Sequence, residues 1–364
     1  MRKIINGLLL CCCVLTGCTQ RSGDKVAMGE VKYVKEFPHN ITLSRIDDFS
    51  CDEIGLNGVR QIDSLLILSH AKVWTILSAD AKKSYGTCLN FGGGPNEFVF
   101  TPRCGTAAYR TEQDSLIAYV CDKNRGRLLR FNISKFIDSG KDSLEQVFQS
   151  DRMNSSIWDV IALGGDSILM QMPNDNFTGF HRNILTADSL WELAATEAAG
   201  EATVTAPEHV NILAKVTRSR PDGQKSVEAM TSLNQINLFS TDGSQAMTIC
   251  VGDELDDVGS IESSWSIMRK DTYESASTWD FGFGALYSGS FMDKFGFKPN
   301  NSEIQFFTWN GAPVIKAFLP FRALAFDLNP ADGVLYAIDA EEDALVAFDA
   351  SEIIDAFKEA GTIK

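Results

Sequence analysis

Histidine, paired cysteines and basic residues are all scarce in this 364-residue chain, and each shortage excludes a class of function. The four histidines lie far apart without metal-ligand spacing: His39, His70, His181 and His209. No C-x-x-C pair occurs among the nine cysteines, which excludes a zinc knuckle and a thioredoxin-type motif. The formal net charge of −15 argues against nucleic acid as a partner, because phosphate backbones require basic patches.

Common catalytic and nucleotide-binding motifs are also missing. The patterns G-x-S-x-G, H-E-x-x-H and G-x-x-x-x-G-K-[ST] do not occur. Two acidic segments, 252–259 and 339–344, lack the alternating carboxylates and the central glycine of an EF-hand loop, so we interpret both as solvated loops. The sequence therefore predicts no catalytic residue, no metal site and no cofactor.

Long apolar runs are absent except near the first residue. Arg2 and Lys3 precede the apolar stretch 4–15, which is too short to span a bilayer. A basic start followed by such a stretch is typical of a signal peptide. Leu15-Thr16-Gly17-Cys18 follows it and resembles the lipobox of bacterial lipoproteins. An uncleaved anchor is the alternative interpretation.

The lipobox resemblance implies a domain organisation and a location. Residues 1–17 would be removed, and Cys18 would carry the lipid that holds the protein at a membrane. Residues 18–38 would form a flexible tether, and residues 39–364 the folded body. We therefore expect a lipid-anchored protein of the bacterial cell envelope. Thr19, in place of an aspartate, favours the outer membrane.

The body of the chain repeats one pattern, an Asp-bearing turn followed by an apolar strand. Asp beside Ser or Gly suits a tight turn because its side chain can bond the local backbone. The six turns are spaced by 51, 52, 56, 58 and 52 residues and lie at Asp63, Asp114, Asp166, Asp222, Asp280 and Asp332. A second strand follows each turn after a polar gap, in the ranges 73–80, 127–134, 182–189, 236–243, 304–311 and 345–352.

These repeats predict an all-β fold, a six-bladed β-propeller with four antiparallel strands per blade. The last unit, 321–351, has room for only three strands. We expect the segment 41–46 to supply the fourth, which closes the ring and hides its edges. Ser351, the apolar periodicity after it and Gly361 predict a short C-terminal helix.

The glycine-rich segment FGGGPNEF (91–98) has two possible roles. A phosphate loop would require a following G-K-[ST], whereas Pro95-Asn96-Glu97 places an acid where the phosphate would lie. Glycine and proline instead suit a tight crossing from the outer strand of one blade to the inner strand of the next. We therefore interpret this segment as a connection between blades.

Two stretches of the chain, GGGPNEFVFTP (92–102) and DSLIAYVCDKNRGRLLRF (114–131), resemble the NHL repeat. ALYSG (285–289) and DGVLYAIDAEEDALVAFD (332–349) are similar to the TolB-like, six-bladed propeller lipoproteins of Gram-negative envelopes. The resemblance implies the fold and the location but little chemistry, because most of that family lacks an assigned activity. Propellers of the gluconolactonase type hold calcium in the channel, through a ligand set without matching positions here.

Ligands of propellers usually bind at the mouth of the channel where the innermost strands begin, a concave site built from several blades. The residues that we expect there are Arg103, Trp158, Asp159, His209, Tyr273 and Arg322. Arg103 and Arg322 stand out in such an acidic chain. They could hold a carboxylate or sulfate while an aromatic ring stacks on a sugar or an apolar group. Alternatively, each arginine pairs with an acid of a neighbouring blade.

Five cysteines lie beyond Cys18, and two of them suggest a disulfide. If residues 111–114 form a four-residue hairpin loop, Cys104 lies directly opposite Cys121, close enough to bridge. Two reduced, buried thiols or a shifted register are the alternatives.

The sequence thus predicts a non-enzymatic binding module anchored by lipid. Its partner would be an envelope protein or a glycan, with the membrane contacted only through the anchor. A metal-dependent hydrolase or lyase with its site in the channel is the alternative. A purely structural subunit of a membrane assembly is a third possibility.

Overall fold

The computed structural model describes residues 25–153, 157–193, 203–264, 269–293 and 295–363. It shows six sheets, each built on four antiparallel strands, arranged as the blades of a propeller. This confirms the predicted fold. The predicted signal segment and Cys18 lie outside the described residues. None of the helices in the described ranges has the length and apolarity needed to cross a bilayer.

The strands follow one another around the ring. Three strands precede the first blade: β1 (Glu30–Val34), β2 (His39–Thr42) and β3 (Ser44–Arg45). Blade one contains β4 (Leu56–Ile62), β5 (Leu65–His70), β6 (Trp74–Ser78) and β7 (Ser84–Cys88). Blade two contains β8 (Ala108–Glu112), β9 (Ser115–Asp122), β10 (Arg127–Asn132) and β11 (Leu144–Gln149). Blade three contains β12 (Asp159–Gly164), β13 (Ser167–Pro173), β14 (Phe180–Thr186) and β15 (Leu190–Glu192).

The second half of the ring has longer connections. Blade four contains β16 (Lys215–Ser219), β17 (Lys225–Met230), β18 (Gln235–Ser240) and β19 (Ala246–Val251). Blade five contains β20 (Arg269–Trp279), β21 (Gly282–Asp293), the extension β22 (Gly296–Lys298), β23 (Glu303–Thr308) and β24 (Pro313–Phe318). Blade six contains β25 (Ala323–Asn329), β26 (Val334–Asp339) and β27 (Ala344–Asp349). The α-helices are α1 (Ile133–Ser139), α2 (Val258–Ser264) and α3 (Ser351–Glu359), and 3-10 turns lie at Cys104–Thr106 and Pro207–Leu213.

The repeated Asp turns lie where the sequence predicts. All six connect the first and second strands of a blade, and the predicted second strands of the repeat are the third strands of the six blades. Asp63 and Asp114 adopt left-handed backbone conformations, with φ of 51° and 62°. At Gly165, Gly223 and Gly333 the glycine beside the aspartate takes the positive φ instead. Turn chemistry therefore explains the regularity of the repeat.

The core of the protein lies between the blades, because both faces of most strands are apolar. Trp74 of blade one and Phe131 of blade two share one cluster, and Phe306 of blade five and Phe348 of blade six share another. All four side chains are fully buried. Large side chains on both faces of each sheet hold neighbouring blades together, as expected for strands covered on two sides.

The N-terminal segment closes the ring and also crosses two other blades. β3 pairs with β27 as the fourth strand of blade six, and the Ile46 amide donates to the Ala347 carbonyl at 2.9 Å. The closing strand is shorter than predicted, since β2 pairs in parallel with β24 at the edge of blade five. The predicted assignment of Ile41 to blade six is therefore wrong, although ring closure by this segment is confirmed.

The folded body begins earlier than the predicted boundary at residue 39. β1 pairs in parallel with β19 as a fifth strand of blade four. Just before it, Met28 is buried, and its backbone amide donates to the Thr248 hydroxyl at 2.7 Å. Residues 28–38, predicted as tether, thus belong to the propeller. The unpaired edge of blade four offers backbone partners to this segment, which the hydrophobic pattern of the sequence does not reveal.

The glycine-rich segment connects β7 to β8, as predicted for a crossing between blades. The carboxylate of Glu97 accepts a hydrogen bond from the Gly94 amide at 2.6 Å. Arg125 donates to the carbonyls of Gly94 and Glu97 at 2.7 and 2.8 Å. An acid of the chain itself therefore occupies the position that a phosphate would take in a nucleotide loop.

Candidate functional site

The innermost strands β4, β8, β12, β16, β20 and β25 surround the channel. All of them begin at the same end of the ring, which is also the end that carries the connections between the second and third strands. We call this end the entry face. Side chains from consecutive blade starts meet there.

A cavity of about 610 Å³, the mouth pocket, opens on the entry face between blades two, three and four. Its volume is in the range of small-molecule sites. The side chains that give it chemical character are Phe100, Arg103, Lys123, Trp158, Asp159, Lys215 and Arg218. Four of these are cations and one is a carboxylate, in a chain whose net charge is −15.

The four cations differ in how firmly they are held. Arg103 is exposed, and no carboxylate of the described residues lies within 4 Å of it. Lys123 donates to the Ile157 carbonyl at 3.1 Å, and Arg218 donates to the Thr217 carbonyl at 2.7 Å. Lys215 lies 3.3 Å from the carboxylate of Glu228. Arg103 is thus the cation best placed to turn toward a ligand.

Two ionisable groups in the pocket wall have shifted pKa values. Burial lowers the pKa of the Arg218 guanidinium to about 10, so this side chain stays charged at neutral pH. Burial raises the pKa of Asp159, and the charges of Arg218 and Arg103 only partly offset that effect. The Val160 amide fixes the carboxylate by donating to Oδ1 at 2.9 Å. The wall is therefore a polar surface held in place by backbone contacts.

Trp158 provides an aromatic surface beside these charges. Its side chain is 42% exposed, although its ring packs on Phe180 at 5.3 Å between centroids. Its backbone amide donates to the Gln171 carbonyl at 2.8 Å, which fixes the residue just before β12. Phe100, 69% exposed, also lines the pocket. A ligand in the mouth pocket can meet cationic and aromatic groups at once.

Exposed apolar side chains are concentrated on the entry face. Ten of the fifteen large, exposed apolar residues in the described ranges lie in its connections or in the β21–β22 extension: Ile54, Phe91, Val99, Phe100, Trp158, Phe177, Phe291, Met292, Phe295 and Phe297. The other five lie on outer strands. Clustered apolar exposure of this kind marks interaction surfaces.

The structure brings together three of the six residues predicted for the mouth: Arg103, Trp158 and Asp159. Arg322 is elsewhere, because its guanidinium bonds Glu274 of blade five at 2.9 and 2.6 Å. Each of the two interpretations proposed for Arg103 and Arg322 thus applies to one of these residues. Arg322 makes the ion pair across blades, while Arg103 faces a cavity.

Tyr273 and His209 do not line the mouth pocket. Tyr273 is 1% exposed, and its hydroxyl donates to Gln305 at 2.9 Å, so its assignment to the mouth is wrong. Register shifts on both sides of Tyr273 bring this residue of β20 into the core. His209 lies in the 3-10 turn Pro207–Leu213, which precedes β16 of blade four.

Sequence reasoning missed Lys123, Lys215 and Arg218. Lys215 is the first residue of β16, as Asp159 is the first residue of β12. The search for residues at blade starts would have found Lys215 if the 3-10 turn before β16 had been recognised. Arg218 lies on the same strand, three residues further on. Lys123 lies in a connection between second and third strands, where the repeat gives no signal.

The predicted disulfide between Cys104 and Cys121 does not form in the structure, where both residues are free and buried. The hairpin has a two-residue turn at Gln113-Asp114, so Glu112, and not Arg110, faces Ser115. The shift of two residues removes the predicted pairing. Cys104 packs between blades one and two, and Cys121 between blades two and three.

The described ranges contain no group of three or more His, Cys, Asp or Glu residues arranged to hold a metal ion. The fold and the mouth pocket together define a six-bladed β-propeller with a cationic, aromatic-edged cavity at one end of its channel. No family model and no curated protein sequence matches this chain.

Solved structures give distant likenesses. Regucalcin of Agrobacterium tumefaciens strain C58, described as a calcium-binding protein, is 9% identical over 89% of this chain and 96% of its own, with a TM-score of 0.47. Streptogramin B lyase is 12% identical over 83% and 96%, with a TM-score of 0.40. Hydrazine synthase of Kuenenia stuttgartiensis is 10% identical over 85% and 80%, with a TM-score of 0.43. None of these likenesses carries an argument about function.

Proposed function

We propose that this protein is a lipid-anchored binding module of the bacterial cell envelope, held at the outer membrane through Cys18, and that it is not an enzyme. Its ligand is an acidic saccharide, part of an envelope glycan, bound in the mouth pocket. The observation that carries this proposal is the collection of four cations around an exposed tryptophan in a strongly acidic chain.

The charges of the mouth pocket favour an anion as the ligand. Arg103 and Arg218 offer planar guanidinium groups, which bind carboxylates or sulfates through two parallel hydrogen bonds. Lys123 adds positive charge, while the charge of Lys215 is shared with the buried Glu228. Asp159 faces the same space and can accept a hydrogen bond from a ligand hydroxyl.

The aromatic side chains favour a saccharide over a small inorganic ion. Trp158 exposes a flat apolar surface on which the apolar face of a sugar ring can stack while its hydroxyl groups reach polar partners. The surrounding apolar side chains of the entry face extend the surface beyond the pocket, as expected for a ligand that is part of a longer chain.

Titration calorimetry with an oligogalacturonate and with its neutral galactose counterpart tests the ligand. The acidic oligomer should bind and the neutral one should not. Arg103→Gln and Trp158→Ala should each weaken binding about tenfold or more, by the loss of a charge-assisted pair or a stacking partner. Arg152→Gln, which changes an exposed arginine outside the pocket, is the matched control.

Two results would overturn the choice of ligand. One is equal binding of the neutral and acidic oligomers. The other is the capture of an envelope protein by cross-linking from the entry face, in a protein that binds no acidic saccharide. The second result would keep the entry face as the binding surface but change the partner.

The anchor and the enzymatic alternative have separate tests. Cys18→Ala should release the protein from the membrane fraction, and the intact N-terminal peptide should carry acyl chains by mass spectrometry. A metal-dependent hydrolase or lyase should lose thermal stability when chelator is added and regain it with calcium. A melting temperature that does not respond to chelator favours the binding module.

A further inference from the structure

A second cavity, of about 210 Å³, extends along the channel from the 3-10 turn Cys104–Thr106 to the end opposite the entry face. We call it the far-end cavity, because the turns between first and second strands, including Asp63 and Pro221, surround it. Four arginines from three blades line it: Arg60, Arg110, Arg218 and Arg220. Asp63, an exposed turn residue, is the carboxylate of the same lining.

Two of the four arginines already have carboxylate partners. Arg60 lies 3.3 Å from the fully buried Asp327 and also donates to the Thr278 carbonyl at 3.1 Å. Arg220 donates through Nε to Asp222 at 2.9 Å. These pairs neutralise one side of the cavity and fix its shape.

The other two arginines contact only carbonyl groups. Arg110 donates to the carbonyls of Leu163 at 3.2 Å and Asp222 at 3.4 Å, while its buried Nε has no acceptor among the described residues. Arg218 donates to the Thr217 carbonyl. Within the described ranges, no carboxylate lies within 4 Å of either guanidinium. The charge of Asp159 offsets only part of the cost of burying Arg218, and an anion between the two guanidinium groups lowers the cost that is left.

The backbone makes room for these two guanidinium groups. A Cβ atom on Gly164, whose φ is 97°, would lie 2.3 Å from Nε of Arg110. A Cβ atom on Gly105 would lie 3.2 Å from Nε of Arg218. Glycine at these two positions leaves room against the channel wall for both arginines, which lie on β8 and β16.

We propose that the far-end cavity is a second binding site, for a small oxyanion such as sulfate, phosphate or a short carboxylate, held between Arg110 and Arg218. The shared chemistry is a compact group with several acceptor oxygens, which suits two guanidinium forks. The volume, about a third of that of the mouth pocket, fits such an ion and not a saccharide chain.

Titration calorimetry with sodium sulfate, sodium phosphate and sodium acetate, at an ionic strength held constant with sodium chloride, tests the site and separates the three sources of the oxyanion. At least one of the three should bind saturably to the wild-type protein. Arg110→Gln should weaken that binding roughly ten- to a hundredfold, the usual effect of losing a hydrogen bond to a charged group. Arg152→Gln should bind as the wild type does.

Arg103→Gln separates this site from the mouth pocket, since Arg103 does not line the far-end cavity. It should keep the oxyanion binding. If Arg110→Gln does not fold, Arg220→Gln takes its place. Arg220 pairs with Asp222 near the surface, so its loss should leave the fold intact. The loss of its positive charge should still weaken oxyanion binding severalfold. The absence of saturable binding for all three anions, or binding lost in Arg103→Gln and kept in the far-end variants, would overturn the proposal.

Discussion

The substitution Glu228→Gln tests whether the buried charges behind the mouth pocket hold blades three and four together. Glu228 lies on β17 and is fully buried. It accepts hydrogen bonds from Arg182 of blade three at 2.8 and 2.6 Å, and Lys215 of β16 lies 3.3 Å away. Gln171, also of blade three, donates to it at 3.0 Å. Glutamine keeps the shape but removes the charge that both cations face.

The magnitude follows from the burial of the network. Removing one partner of a buried ion pair costs about 3–5 kcal/mol. The entropy of unfolding is about 2.1 cal/mol/K per residue, or about 0.7 kcal/mol/K for a body of roughly 340 residues. The melting temperature of Glu228→Gln should therefore fall by about 4–7 °C. A loss below about 1 °C would refute the reasoning that this carboxylate is needed by its neighbours.

The assay is thermal unfolding followed by circular dichroism, with Glu254→Gln as the matched control. Glu254 pairs with Lys25 at 2.8 Å but is 78% exposed, so its change should cost less than about 1 kcal/mol. An equal loss in both variants would show that burial does not decide the effect.

The pH dependence gives a second reading of the same variant. Burial alone would raise the pKa of Glu228, but the charges of Arg182 and Lys215 outweigh burial and hold the pKa below its ordinary value of 4.5. A lowered pKa in the folded state stabilises the protein above the unfolded pKa, and this contribution is lost as the pH falls through the folded pKa. The stability difference between wild type and variant should be constant above about pH 5.5 and shrink below pH 4.5.

Three further predictions concern closure, thiols and the mouth. A chain that begins at Asp47 should aggregate or melt without cooperativity, because blade six then has three strands and an open edge, whereas a chain that begins at Lys25 should fold. In the native chain from Lys25, Ellman's reagent should modify Cys51 first, since the other four thiols are buried. Burial also raises the pKa of Cys104 to about 11. A Cys104–Cys121 peptide pair in an unreduced digest would contradict the assignment of these two cysteines as free thiols. Trp158→Ala should cost about 1 kcal/mol or less by thermal melting, because the side chain is 42% exposed, so weaker ligand binding in this variant would report on the pocket; a large loss of stability would contradict its placement.

The sequence predicts the six blades well because both of their signals are local. An aspartate turn and the apolar strands beside it can be recognised within a few residues, and the ring follows from their repetition. The path of residues 28–42 along the edges of blades four and five is not local. It depends on backbone groups at the outer edges of β19 and β24, which the side-chain pattern of the sequence does not reveal.

The candidate site was predictable where it follows the repeat and unpredictable elsewhere. Arg103, Trp158 and Asp159 stand at blade starts, which the repeat locates. The fate of Arg322 depends on Glu274, 48 residues away in sequence, and no local pattern shows that pair. The error in the Cys104–Cys121 pairing came from the length of one turn, since a change of two residues moves the whole register.

The distribution of charge in this propeller limits which anions can reach its channel. The chain as a whole is strongly negative, yet Arg218 contributes to the walls of both cavities and further cations line each of them. Net charge acts on a ligand at long range and repels large polyanions, while salt screens exposed charges beyond about 8 Å. The cations act only on a group that has entered the channel, where screening is weaker. Positive charge confined to the channel of an acidic protein therefore favours short or sparsely charged anions over nucleic acid or anionic membranes, and this selectivity comes from the placement of the charges and not from their number.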